Sequence, residues 1–309
     1  MKKGLYLVIG MLLVLFALPL LIPRIQEKTI SLPVACPPNA IGRFITSAEK
    51  WESWWPGKRI SGDSVWQIEE KQFRITQRLL NGFQAMSEDQ TVAIDLQFNP
   101  AVSNESIFTI RTTYALPFHP VYRLWALFIK SKAEAISEAL QKSCNDFFSQ
   151  PLKVYGIDIR KGKVKYFSWI STKEKFDHSP STGELYLTIE ALTSFVDDNK
   201  GKILDKPIMH VYQETNESFE LMVAVPTDRD LPSKGRFQLK NMILGSLLQA
   251  EVEGGPASVG RAINELENYV KDHRLVSPAI PFETLITDRR KETDTTKWVS
   301  IVNYPIFDQ

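Results

Sequence analysis

Glu283 is the residue of this chain whose type and setting point most directly to chemistry. It lies in Phe282-Glu283-Thr284-Leu285, a short alternating run that reads as a strand. An ionised carboxylate buried there without a partner would cost several kcal/mol, so it either faces water or is held for a purpose. Side-chain alternation puts Glu283 and Leu285 on one face and Phe282 and Thr284 on the other. Beside Tyr212, Trp169, Tyr269 or Trp298, one negative charge and aromatic faces would suit a cationic or polar-aromatic ligand, through charge pairing and cation–π attraction. The same carboxylate could direct a water at an electrophilic substrate. No second catalytic group stands out; Tyr212 qualifies only by its place in a repeat. His119, His178, His210 and His273 are scattered singly and no Cys/His cluster exists, so neither a metal site nor a cofactor is expected. Cys36 and Cys144 read as buried and reduced, with one disulfide as the alternative.

The elements around Glu283 are built twice. An offset of 74 residues separates Pro207 from Pro281 and Val196 from Val270, each pair flanking a helical run and a following strand. The copies end alike, in Phe219–Pro226 and Trp298–Pro305. Each runs strand, helix, strand, strand: Val164–Ile170, Gly183–Asp197, Ile208–Gln213 and Phe219–Val225, then Met242–Glu253, Ser258–Lys271, Phe282–Thr287 and Trp298–Asn303. The helical stripes Leu185/Ile189/Leu192/Val196 and Val259/Ile263/Leu266/Val270 are core faces. Met209 is the counterpart of Glu283, so the repeat alone does not require a carboxylate there. Two half-domains about a pseudo-twofold axis leave a cleft between them, where small ligands usually sit. Gly254-Gly255-Pro256 reads as a loop admitting a helix rather than a phosphate site, and Asp288-Arg289-Arg290-Lys291-Glu292 as a solvated hairpin tip.

Glu253-Gly254-Gly255-Pro256, Phe282-Glu283 and Tyr304-Pro305-Ile306, with the duplication, resemble the GyrI-like small-molecule-binding domain, also called the effector-binding domain of multidrug-sensing transcription regulators. The family often has a tyrosine two residues after the strand glutamate; this chain has Leu285. The resemblance implies a small-molecule ligand at 151–309, with repeats at about 160–227 and 236–307.

Upstream, Thr29–Ala35 alternates as a strand, Pro37-Pro38 opens a short helix, and Ser47 is placed to cap a second that carries Trp51, Trp54 and Trp55. Period-two runs from Val65 to Tyr114, with Asn81-Gly82 as a turn, read as an antiparallel meander. A helix over Val121–Phe148 follows. That order, with Trp54-Trp55-Pro56-Gly57 and Pro117-Phe118-His119-Pro120, resembles the SRPBCC superfamily of START-like helix-grip domains over 27–150. The resemblance implies an apolar cavity between sheet and long helix as a second ligand site.

Lys2 and Lys3 precede an uncharged apolar stretch from Gly4 to Pro23, closed by Arg24. Its length fits a membrane crossing, and no small-x-small cleavage site follows Ala17, which favours an uncleaved signal anchor over a cleaved signal peptide. The expected architecture is therefore α+β: a membrane helix at 1–26, a helix-grip domain, then the duplicated domain. It places the bulk of the chain outside the cytoplasm, periplasmic in a bacterium. The 37 Lys+Arg and 36 Asp+Glu nearly cancel, which argues against a nucleic-acid partner. Taken together the chain reads as a membrane-anchored protein that binds or senses an amphiphilic or apolar small molecule, with a Glu283-dependent hydrolase and a non-catalytic envelope interaction protein as alternatives.

Overall fold

The computed structural model describes residues 23–116, 119, 123, 132–215 and 217–307, and the chain divides after Val154 into two compact units. The membrane expectation is corrected. No helix among the described residues is long and apolar enough to cross a membrane. Residues 1–22, on which most of the expected span fell, lie outside the described residues. Ile25 and Gln26, assigned to the anchor from sequence, instead open a strand and pair with Ala115 and Tyr114. The anchor, the single-pass location and the membrane partner are not carried further.

In the first unit, β1 (Ile25–Val34) is followed by α1 (Pro38–Ile45), a 3-10 turn (Ala48–Ser53), and β2 (Gly57–Ser61). The meander β3 (Val65–Ile68), β4 (Lys71–Leu79), β5 (Gly82–Ser87), β6 (Val92–Pro100) and β7 (Ser106–Ala115) comes next, then α2 (Lys132–Phe148). All seven strands form one antiparallel sheet in the order β1-β7-β6-β5-β4-β3-β2. Alternation decides which face is core: Val92, Ile94, Leu96 and Phe98 of β6 are buried while the residues between them are not. The turn that closes β4 on β5 is Leu80-Asn81, one residue earlier than the expected Asn81-Gly82; Gly82 opens β5 opposite Leu79, and only glycine fits there, because a Cβ on Gly82 would lie 2.0 Å from the carbonyl oxygen of Leu96. The expected closing helix began at Val121; residues 121, 122 and 124–131 lie outside the described residues, and α2 is described from Lys132.

The three tryptophans of the 3-10 turn and of the two residues that follow it are core. Trp51, Trp54 and Trp55 meet Trp66 of β3 and Phe83 of β5, with Trp51 stacked on Trp55 at 5.3 Å and against Phe83 at 4.6 Å. The indole N–H of Trp51 donates to the carbonyl oxygen of Ile45 at 2.9 Å, so its polar atom is satisfied as the ring is buried. Ser47 precedes the turn but its side chain makes no capping bond. Cys36 and Cys144 are both buried and no disulfide joins them.

The second unit holds β8 (Arg160–Lys163), β9 (Ser168–Phe176), α3 (Thr182–Asp198), β10 (Ile208–Thr215), β11 (Ser218–Pro226), β12 (Gln238–Asn241), β13 (Ser246–Glu253), α4 (Pro256–Asp272), β14 (Phe282–Leu285) and β15 (Val299–Ile306). Eight strands form one sheet, β12-β9-β11-β10-β14-β15-β13-β8. The order is a palindrome of the repeat. Within each half the strands lie first, third, second, and the halves meet where β10 pairs β14 through Met209↔Glu283. One row crosses the sheet, Thr172–Val223–Met209–Glu283–Val302–Ala250, and its halves are equivalent position by position.

The edges are exchanged. β8 precedes the first copy but pairs with β13 of the second, and β12 precedes the second but pairs with β9 of the first. Both α3 and α4 span 17 residues, at the 74-residue offset read from sequence. They cover one face with two cores, Leu185/Leu192/Val196 over Leu221 and Val223, and Val259/Leu266/Val270 over Ala250 and Val302. β9 lies further along the chain than the expected Val164–Ile170. Its second half, Lys173-Glu174-Lys175, looks like a loop in sequence but is held by cross-strand ion pairs, Lys173 to Glu220 at 2.6 Å and Lys175 to Glu214 at 3.0 Å.

Because Trp51 is fully buried with rings on several sides, Trp51→Ala is expected to cost about 3–5 kcal/mol. Urea denaturation measures this, and a loss below about 1 kcal/mol would contradict the packing described.

Candidate functional site

The central row brings Glu283 to the helix-covered face, in the gap between α3 and α4. β14 is an interior strand flanked by β10 and β15, and Glu283 is only 7% exposed. It lines a cleft of about 490 Å³ with the first turns of both helices, Thr182 and Leu185 on one side and Pro256, Val259 and Gly260 on the other. Met209, its pseudo-symmetric counterpart, lines the same cleft.

The carboxylate is not alone. Arg289, 7% exposed, donates from Nη2 to Glu283 Oε1, and Ser300 Oγ donates to the same oxygen at 2.6 Å. Nη2 also reaches Ser300 Oγ at 3.0 Å, and the guanidinium lies over the Trp298 ring, 4.6 Å from its centroid. A buried charge is tolerated when paired and hydrogen-bonded, and here both conditions hold.

Arg289 arrives on the 286–298 loop between β14 and β15. The equivalent connection in the first copy, between Thr215 of β10 and Ser218 of β11, is only two residues long. The offset between copies accordingly rises from 74 at Met209/Glu283 to 79 at Val223/Val302, so the second copy is five residues longer here. The loop is pinned from α3: the Arg289 backbone N–H donates to the Tyr186 hydroxyl at 2.8 Å, and Arg290 stacks on the Tyr186 ring at 4.3 Å while reaching Glu190 at 2.7 Å. Burial raises the Tyr186 phenol above its usual value, so it stays protonated. The Arg290 guanidinium holds the Asp288 carboxyl down to about 2, so that anchor is ionised at neutral pH. Trp298 is fixed by its indole N–H, which donates to the carbonyl oxygen of Glu292 at 2.9 Å.

Of the residues singled out from sequence, Glu283 and Trp298 line this cleft together. Trp169 packs with Ile208, Ala224 and Phe282 on the opposite face of the sheet, in a separate pocket of about 270 Å³. Tyr212 is 56% exposed and pairs across to Glu220. Tyr269, on α4, stacks on His273 at 3.8 Å and contacts Tyr155. A strand's two-residue period puts Tyr212 on the face away from Glu283, since Met209 shares the carboxylate's face.

The solvated tip read from Asp288–Glu292 is corrected at Arg289, which turns inward to the carboxylate. Arg289, Ser300, Tyr186 and Gly260 were not singled out. One signal for Gly260 exists in the sequence: at the 74-residue offset its counterpart is Tyr186, so a large side chain is answered by none. His210 adjoins the cleft through its backbone, and alternation sends its side chain, like that of Tyr212, to the opposite face, where burial lowers the imidazole below its usual value against a backbone hydrogen bond with Pro281 that raises it.

No protein-family model matches the chain, and no curated protein matches it. Among solved structures it is similar to EcmrR in a complex with DNA (13% identity, TM-score 0.43, covering 61% of this chain and 76% of that one). It is also similar to the EcmrR C-terminal domain (13% identity, TM-score 0.40, 50% and 99% covered). A third is a hydrolase from Listeria innocua (11% identity, TM-score 0.38, 48% and 91% covered). The exclusion of nucleic acid drawn from net charge is corrected at this point and is not carried further. A near-zero net charge averages over the whole surface and does not exclude a local basic patch.

Replacing Arg289 by Met strands the Glu283 carboxylate and should cost about 3–5 kcal/mol. Adding Glu283→Met, which copies the residue at 209, should recover most of that loss. Chemical denaturation of the wild type, both single variants and the double variant measures the coupling; equal losses in Arg289→Met and the double variant would show that the two groups do not act as a pair.

Proposed function

We propose that the second unit is a small-molecule-binding module of GyrI-like, effector-binding type, taking an apolar or amphiphilic ligand in the cleft between α3 and α4. The observation that carries this reading is the cleft itself: an apolar gap at the junction of two pseudo-symmetric halves, with one polar pair on its floor. The duplicated strand–helix–strand–strand order and the landmarks at Gly254-Gly255-Pro256 and Phe282-Glu283 support it. For the first unit, we read the strand–helix–meander–helix order as a START-like helix-grip domain.

Gly260 strengthens the binding reading. A glycine inside a helix costs roughly 1 kcal/mol relative to alanine, and packing does not demand it here, because a Cβ at 260 would meet nothing within 4 Å. Its counterpart Tyr186 is 7% exposed and fills its own side. The second half therefore leaves open the volume that the first half closes.

Glu283 fits binding better than hydrolysis. Its Oε1 is engaged by Arg289 and Ser300, so the carboxylate is held as part of a pair. The test uses Gly260→Phe, which places a ring in the open volume without a backbone clash. Wild-type protein should bind the apolar dye N-phenyl-1-naphthylamine saturably with one site, and Gly260→Phe should weaken this at least about tenfold while keeping or raising the melting temperature. Equal dye binding by both proteins would sink the assignment of the site to this cleft.

A further inference from the structure

We propose that the ligand's polar end is uncharged and presents a hydrogen-bond donor and an acceptor side by side, as a primary amide does, on an apolar body. This rests on the binding reading above and adds the chemical class of the ligand. Three observations carry it.

The first is charge. Glu283 and Arg289 are both buried on the cleft floor, and their formal charges cancel. The cleft therefore holds no uncompensated charge to receive an ion. A charged ligand would give up its hydration without gaining a counter-charge, whereas an amide exchanges hydrogen bonds with water for hydrogen bonds with the pair.

The second is what the pair leaves open. Both bonds to the carboxylate fall on Oε1, from Arg289 Nη2 and Ser300 Oγ; Oε2 accepts none among the described residues. On the guanidinium, Nη2 is engaged by Glu283 and Ser300, but among the described residues Nη1 meets only the Met209 thioether sulfur, at 4.0 Å. Sulfur is a weak acceptor. One acceptor oxygen and one under-used donor nitrogen thus sit on the same floor, and a group with one N–H and one carbonyl oxygen satisfies both.

The third is the surround. Leu185, Val211, Leu221, Val259 and Ile263 wall the cleft, with Trp298 beside the guanidinium. Such walls take an apolar ring or chain. The opening at Gly260 gives a flat ring room to approach the α4 backbone.

Three probes of one shape and different charge test the proposal on the full chain at pH 7: 2-naphthamide, 2-naphthoate and 2-naphthylmethylammonium, each measured by displacement of the naphthylamine dye. The amide should bind at least about tenfold more tightly than either ion, a difference of about 1.4 kcal/mol. Either ion matching or exceeding the amide overturns the proposal while leaving the cleft as a binding site. If the dye and all three probes fail to bind, the binding reading fails with it.

Two variants add opposite shifts. Glu283→Gln leaves the Arg289 charge uncompensated and should raise naphthoate above the amide; Arg289→Gln leaves the carboxylate and should raise the ammonium probe. An unchanged order in both variants, with melting curves showing folded protein, also overturns the proposal. Should Arg289→Gln fail to fold, the wild-type order and Glu283→Gln decide it.

Discussion

The second unit depends on a short antiparallel contact between two strands. β10 and β14 meet through Ile208↔Thr284 and Met209↔Glu283, and this junction turns two three-strand halves into one sheet. The exchanged edges reinforce it, since each half receives its outer strand from the segment preceding the other. Neither copy carries its full complement of backbone pairings by itself, and unpaired strand edges are costly to leave exposed. The junction also fixes the cleft. Helices α3 and α4 each pack on their own half-sheet, so the gap between them opens above the row where the halves join.

Within that symmetric frame the two halves differ at positions on and around the cleft. Met209 answers Glu283, Tyr186 answers Gly260, and a two-residue connection answers the 286–298 loop that delivers Arg289. The differences belong together. A carboxylate in an interior strand, facing a helix-covered core, demands a partner, and a longer loop is the means of bringing one. Tyr186 in turn pins that loop by accepting from the Arg289 backbone N–H and carrying Arg290 on its ring. One half thus supplies the clamp for the loop and the other supplies the ion pair and the open volume.

The first unit solves a different problem. Its 3-10 turn and the two residues after it insert three tryptophan rings against β3 and β5, and their closeness to Trp66 and Phe83 makes an aromatic core that the sheet and α2 close over. The indoles of Trp51 and Trp55 donate to backbone carbonyls, which lets rings with a polar edge be buried there.

Periodicity made much of this legible: the meander from Val65, the two helical stripes and their 74-residue offset all follow from side-chain direction, which is local. The assignment of Glu283 and Leu285 to one face is local too, and their shared burial agrees with it. β9 was misplaced because its charged half is stabilised by residues some 40 positions away, and the membrane assignment at Ile25 and Gln26 gave way to pairing with β7. Tyr212, Trp169 and Tyr269 were grouped with Glu283 by residue type, and the sheet's alternation and the turn of α4 send them elsewhere. Arg289 was hidden for the opposite reason: in a run of charges a single inward-turning guanidinium has no local signature. The sequence by itself determined the element types, the duplication and the carboxylate's face, because these depend on spacings within one segment. Only the tertiary structure decided that Glu283 is paired, by which residue, and how much of the cleft is left open, because burial and ion pairing depend on what other segments bring to the same point.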